Sequence, residues 1–506
     1  MLFDEIARTS TDVSETRARS AKVERLAVCL RELRADEVRA AVTFLSGGLP
    51  RIGVGWASLR DLPEPAPRAS LEVLDVDAAL GRVAAASGRG SQEARRGELG
   101  SVFALATERE QTFLRGILHG ELRQGALEGI MVDAVARAAE VPAVDVRRAL
   151  MLAGELPPVA EAALSGGKPG LARFRLEVLR PVKPMLAQTA ETVTDAVGRT
   201  GSAAVEWKLD GARIQVHRIG REVRAFTRSL ADVTDRVPEV AAAALALPVD
   251  AVVLDGEVIA LRPDDRPHPF QVSMSRFGSS FDDRPSESVA LSSFFFDCLH
   301  LDGDDLIDRP YRDRVGALDS VVPTDTRVPR SEPSTPVEAE LFLEDALAHG
   351  HEGVVVKGLD SRYEAGRRGA AWIKVKRAAT LDLVVLAAEW GHGRRQGKLS
   401  NLHLGARDPE SGGFVMLGKT FKGLTDEILA WQTDRLLGLA TTREGHVVRV
   451  RPELVVEIAF DGVQTSSRYP GGLALRFARV KGYRPEKPAS EADTVDAVRA
   501  LHERQG

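Results

Sequence analysis

Apolar positions in the first third of the chain recur every three or four residues. Val23, Leu26, Ala27, Leu30 and Leu33 share one helical face and Val38, Ala41, Val42 and Leu45 the next, which predicts packed helices. Thr107 and Glu110 have the spacing of a capping box. The helix they open carries Phe113, Leu114, Ile117 and Leu118 and is expected to stop at Gly120, with the next helix opening at Gln124-Gly125. Helical spacing continues to about Leu164, and Ser165-Gly166-Gly167-Lys168-Pro169-Gly170 then reads as a linker.

Beyond it the period falls to two. Val205, Trp207 and Leu209 alternate around Lys208, Asp210-Gly211 forces a turn, and alternation resumes at Ile214 and Val216, which pair with Val223 and Ala225 across Gly220. Residues 252–261 and 291–299 read as buried strands. Thr335-Pro336, with Glu338 in capping position, opens a helix that ends at Gly350, just before a strand over 353–357. From about Leu381, apolar runs at 383–387, 402–404, 414–417, 447–450 and 454–460 alternate with glycine turns and predict a small barrel of the OB-fold type. The expected architecture is multidomain: an all-α N-terminal domain over 1–170, an α+β domain over 171–379, and a C-terminal β-barrel over 380–506.

Composition narrows the classes. The only cysteines, Cys29 and Cys298, can build neither a disulfide framework nor a four-cysteine zinc site. No apolar run could span a bilayer, and the first ten residues, with Asp4 and Glu5, lack the apolar core of a signal peptide, so a cytoplasmic protein with no membrane partner is expected. The histidines form no His-Glu-x-x-His cluster, which argues against a zinc hydrolase. A net charge of −5 speaks against uniform positive coating, yet basic residues cluster at Arg367, Arg368, Lys374, Lys376 and Arg377, at Arg394, Arg395 and Lys398, and from Arg476 to Lys487. Such clusters are local anion-binding surfaces or merely solvated faces.

The candidate chemistry centres on Lys208. A lysine with a reference pKa of about 10.4 is protonated at neutral pH and becomes a nucleophile only if burial or neighbouring cations depress that value. In isolation, Lys208 beside Asp210-Gly211 reads better as a surface lysine at a hairpin turn. Trp372-Ile373-Lys374-Val375-Lys376 alternates, so its two lysines share a face; an anion between them relieves their repulsion, and the pair is expected to help depress the pKa of Lys208. Glu257 lies inside an apolar strand in Leu254-Asp255-Gly256-Glu257-Val258 and therefore needs a partner. Glu352-Gly353-Val354-Val355-Val356-Lys357 places an acid and a base at the ends of another buried strand. Phe294-Phe295-Phe296 is core or a stacking platform. The loop Glu121-Leu122-Arg123-Gln124-Gly125, feeding a helix, suits a phosphate or is an ordinary turn.

Taken in order, these stretches resemble the motifs of the covalent nucleotidyltransferases, and most closely of the ATP-dependent DNA ligases. The resemblance runs from Glu206-Trp207-Lys208-Leu209-Asp210-Gly211-Ala212-Arg213 through Phe226-Thr227-Arg228 and the acidic, aromatic and lysine segments above. It ends at Leu475-Arg476-Phe477-Ala478-Arg479 and Arg484-Pro485-Glu486-Lys487, where Ala478 departs from the proline of the commonest form. Residues 180–187 resemble the approach to a ligase adenylation domain, and 113–128 the helical DNA-binding domain of larger ligases.

The resemblance implies that Lys208 takes AMP from ATP, with Asp210, Lys374 and Lys376 assisting catalysis. It makes Glu206, Arg213, Arg228, Glu257, Phe296, Lys357, Lys374, Lys376 and Arg476 nucleotide contacts, with Phe296 under the adenine. It gives Glu257 and Glu352 to Mg²⁺, and Arg115, Arg123 and Gly125 to DNA. The implied enzyme is a monomer encircling nicked duplex DNA at the nucleoid, with a C-terminal domain that swings between self-adenylating and DNA-clamping poses. An RNA ligase or capping-type nucleotidyltransferase, and a non-catalytic DNA-binding scaffold, are the alternatives.

Overall fold

The computed structural model describes residues 1–505 apart from 50–61, 89, 121, 123, 125–127, 269, 277–289, 366–370 and 377–378. Arg123, Gly125, Arg367, Arg368 and Arg377 therefore lie outside the described residues, as does the side chain of Arg394.

The helices from Phe3–Glu15 to Leu156–Leu171 gather around one apolar core that includes Phe3, Leu26, Phe44, Phe103, Leu114 and Val135. Glu110 N donates to Thr107 Oγ1 at 3.4 Å while Thr107 N donates to Glu110 Oε2 at 2.7 Å, so the capping box forms and the helix Glu108–Leu118 follows it. The next described helix is Glu128–Ala138; the expected opening at Gln124-Gly125 runs into residues outside the described ones, and Gln124 itself is a buried anchor that accepts from Ser10 Oγ at 2.7 Å and from Lys22 Nζ at 2.5 Å. One expectation fails here. The expected linker is part of the helical region: Leu156–Leu171 is helical across it, interrupted by a kink at Gly167 (φ 54°, ψ −142°). The chain turns back there because Val159, Ala160, Ala163 and Leu171 are all buried, and Gly170 presses against Ala162, where a Cβ would stand 2.2 Å from the carbonyl oxygen.

Strands β1 (Gln188–Ala190), β2 (Ala203–Lys208), β3 (Ala212–Ile219), β4 (Glu222–Thr227), β5 (Ala251–Ala260), β6 (Leu291–Leu301), β7 (Asp304–Asp305), β8 (Arg330–Ser331), β9 (Gly353–Gly358) and β10 (Trp372–Lys376) form two sheets. Their orders are β1-β10-β9-β2-β8 and β4-β3-β5-β6-β7. The β3–β4 hairpin forms across Gly220 as expected, with Val216 opposite Ala225, but Ile214 pairs with Thr227 and Val223 with Arg218. The helix Pro336–Ala348 is capped by Thr335, whose Oγ1 accepts from Glu338 N at 3.2 Å, and packs Ala339, Leu343 and Ala346 on the first sheet. The chain passes from the first sheet to the second directly after Lys208.

The C-terminal region has more strands than its sequence pattern suggests. Strands β11 (Ala379–Trp390), β12 (Leu399–Arg407), β13 (Phe414–Thr420), β14 (Ala440–Glu444), β15 (Val447–Val450), β16 (Val455–Phe460) and β19 (Arg479–Tyr483) form a 7-stranded sheet, with β17 (Gly462–Thr465) and β18 (Leu473–Arg476) as a separate hairpin. The sheet bends so far that Val480 N donates to Lys422 O at 3.0 Å, bringing β19 back toward the end of β13. Among the described residues no helix is long and apolar enough to cross a membrane.

Candidate active site

Lys208 ends β2 opposite Gly353, and Glu352 N donates to Lys208 O at 3.1 Å, so the strand pairing itself sets Glu352 beside Lys208. Gly211 permits the tight passage that follows: a Cβ there would lie 2.2 Å from Ile259 and 2.3 Å from the Val258 carbonyl oxygen, so any side chain would push β5 and its Glu257 away.

The result is a chain of alternating charges. Lys208 Nζ is 2.5 Å from Glu352 Oε2, which in turn is 2.7 Å from Lys376 Nζ. Two side chains of the C-terminal region complete it: Asp461 lies 3.4 Å from Lys376 Nζ, and Arg476 Nη1 donates to Asp210 Oδ2 at 2.9 Å. Lys374 holds the position two residues before Lys376 on the same strand. At Lys376, one of the two lysines expected to flank an anion, the Glu352 and Asp461 carboxylates provide the negative charge.

The electrostatics reverse one expectation. Burial by itself would lower the Lys208 pKa, but Glu352, Glu257 and Asp210 outweigh it and hold the ammonium above the ordinary lysine value. Cations do not surround this amine; carboxylates do. Burial likewise opposes ionisation of Glu352, yet Lys208 and Lys376 hold its carboxyl below the usual range. Burial pushes Glu257 up to about 7 despite Lys208 and Arg213, so this carboxyl titrates near neutrality.

Behind the charged chain lies an aromatic floor. Phe295 is core, while Phe296 faces Trp372 edge-on at 5.9 Å and receives Lys357 Nζ 4.3 Å and Arg213 Cζ 5.2 Å from its ring centre. Lys357 pairs with Glu206 at 2.5 Å, and Glu206 also accepts a short hydrogen bond from Tyr311. Arg213 does not point openly at a ligand. It forms a fork with Asp255 at 2.9 and 2.5 Å and donates to Met185 O at 2.8 Å, while Tyr363 OH donates to the same Asp255 at 2.6 Å.

The fold thus brings together Glu206, Lys208, Asp210, Arg213, Glu257, Phe296, Glu352, Lys357, Lys376 and Arg476. It leaves Arg228 exposed past the end of β4, and Arg115 exposed on the helix Glu108–Leu118. Lys487, at the end of the last basic motif, turns away to pair with Asp382 at 2.8 Å. Sequence reading missed Asp255, Tyr311, Tyr363 and Asp461. Asp255 carried a signal, being the other acid of an apolar strand; the two tyrosines and Asp461 follow no motif.

A strand-end lysine amid carboxylates, over an aromatic floor and followed by a strand-rich region that reaches back to it, defines a nucleotidyltransferase-like catalytic core. Residues 184–376 match the family described as ATP dependent DNA ligase domain, 395–487 the ATP dependent DNA ligase C terminal region, and 59–136 the DNA ligase N terminus. The chain belongs to the ATP-dependent DNA ligases. A Probable DNA ligase of Anaeromyxobacter dehalogenans is 60% identical over 511 residues, covering 99% of this chain and 100% of its own. Another, from Mycolicibacterium gilvum, is 57% identical over 509 residues and 100% of both chains. The solved structures titled Pmar-Lig_PreS3 and Pmar-Lig_Pre share its fold, with TM-scores of 0.62 and 0.63 at 18% and 17% identity, over 96% of this chain and 100% and 99% of theirs. The protein is therefore an ATP-using, DNA-binding enzyme that joins DNA strands.

Proposed function

We propose that the enzyme seals a 5′-phosphate to a neighbouring 3′-hydroxyl at nicks in duplex DNA, carrying AMP on Lys208. In the first step Lys208 Nζ gives up its proton and attacks the α-phosphorus of ATP; the P–N bond forms as the P–O bond to pyrophosphate breaks. The nick's 5′-phosphate then attacks the same phosphorus and releases Lys208. Finally the 3′-hydroxyl attacks the 5′-phosphorus, loses its proton and expels AMP.

The observation that carries this reading is the placement of Lys208 Nζ, 2.5 Å from Glu352 in a partly buried cluster that also holds Lys376 and Arg476. Free of nucleotide, the cluster keeps the amine protonated. Phosphate oxygens that take over Lys376 leave Glu352 with one cation fewer, which makes this carboxylate, 2.5 Å from Lys208 Nζ, the better base for the departing proton. Phe296 supports the adenine; Glu206, Lys357 and Arg213 hold that floor in place. Arg228 has no part in this assignment.

Glu257 and Glu352 fit a hard cation. Both offer carboxylate oxygens, the donor type that Mg²⁺ takes, and both lie within the electrostatic reach of Lys208. When bound, the ion supplies positive charge against the phosphate oxygens and the two carboxylates.

A division at 170 and 379, a single copy encircling the duplex, and work at the nucleoid belong to the same reading. Separate apolar cores for the helical and C-terminal regions support the division, while the single encircling copy and the nucleoid rest on the resemblance to larger ligases. Incubation with α-labelled ATP tests the central step: the parent protein takes up label and Lys208→Ala takes up none. Label retained by the variant overturns the assignment.

A further inference from the structure

Asp461 has no place in the chemistry above, yet it touches the site. It directly precedes β17, and its backbone N donates to Arg476 O at 3.0 Å, so an anion and a cation stand side by side on one hairpin of the C-terminal region. Across from them stand a cation and an anion of the middle region: Asp461 meets Lys376 at 3.4 Å and Arg476 meets Asp210 at 2.9 Å. All four side chains are partly buried.

Pairs that water still reaches add little to stability one by one. Their arrangement matters more. If the hairpin were displaced or turned so that partners exchanged, Asp461 would face Asp210 and Arg476 would face Lys376, both repulsive. Crossed charges therefore favour one docking pose and penalise the exchanged one. That pose is also the one that sets Arg476 two residues from the attacking lysine's strand end.

We propose that Asp461 is a positioning residue: with Arg476 it forms two crossed ionic bolts that seat the C-terminal region for transfer of AMP to Lys208. The bolts are not needed when the nick already carries AMP, because the duplex must then occupy the surface they close. The inference rests on the nucleotide-transfer reading of Lys208, and it adds a step-selective role to a residue outside the motifs.

The test compares the parent protein with Asp461→Asn, Asp461→Lys and Asp461→Glu in two single-turnover assays. One follows label from α-labelled ATP to protein; the other follows sealing of a synthetic nick already adenylated at its 5′ end. Loss of one charge-assisted contact predicts that Asp461→Asn slows labelling about tenfold, and repulsion from Lys376 predicts about a hundredfold for Asp461→Lys. Asp461→Glu regains most of the rate, and all three seal the pre-adenylated nick within about twofold of the parent. Small-angle scattering without nucleotide should show Asp461→Lys more extended than the parent. Labelling at the parental rate in both charge-loss variants overturns the bolts, as does equal loss in both assays or a parent already as extended as Asp461→Lys. A parent that takes up no label overturns instead the reading on which the inference stands.

Discussion

Where the helical region meets the middle region, Met151 and Leu152 pack into a cluster with Leu176, Val182, Met185, Tyr363 and Trp372. Where the C-terminal region meets the Lys208 site, the contacts are between charges. The first junction also carries ion pairs, Arg148 with Asp308 and Lys183 with Glu128, but these lie at its edge around an apolar centre. Apolar burial is not weakened by salt or by phosphate, whereas ion pairs open to water on one side weaken with both. On the reading proposed above, one junction is permanent and the other is undone by a polyanion. The permanent one backs onto the nucleotide floor, since Tyr363 and Trp372 of its cluster also contact Arg213 and Phe296.

The contrast can be broken at its apolar side. Met151 is buried, and Met151→Ala should cost about 2–5 kcal/mol. It is expected to lower the thermal midpoint and to expose the segment after Leu171 to protease. An unchanged midpoint would mean that the junction is not held by its apolar centre.

The charged site should show the opposite sign, weakening the fold as it ionises. Burial raises the Glu257 pKa from an ordinary 4.5 to about 7, so the folded state binds the extra proton between those values. Stability gained from that proton is present at low pH and is lost as pH rises through about 4.5 to about 7, by a few kcal/mol at most. Glu257→Gln removes this dependence, and thermal midpoints measured across the window should fall less steeply with pH than in the parent. Parallel curves would show that Glu257 is not held in its protonated form.

The smallest effect is expected at the edge of the apolar junction. Arg148 and Asp308 are both more than a third exposed, and Arg148→Ala should change stability by about 1 kcal/mol or less. A larger loss in a denaturant titration would move the weight of that junction from its apolar centre to its ion pairs.

Much of this was legible in the chain. Alternation around Lys208, the hairpin across Gly220 and the caps at Thr107 and Thr335 depend on neighbours within a few residues, and local geometry decides them. The segment at Ser165 misled because glycine and proline mark a break without saying whether the chain leaves or turns back; burial of Leu171 decided that. Arg213 invited assignment to the nucleotide because Asp255, 42 residues away, has no sequence pattern linking the two.

What the sequence by itself determined was the strands and caps around Lys208 and the order in which the reactive side chains appear along the chain, because periodicity and turn chemistry are local. The sign of the field at Lys208 was decided only by the tertiary structure. Glu352 and Glu257 reach that amine from other strands, and Arg476 reaches Asp210 across 266 residues. A pKa follows from distance and burial in space, and no spacing along the chain encodes either.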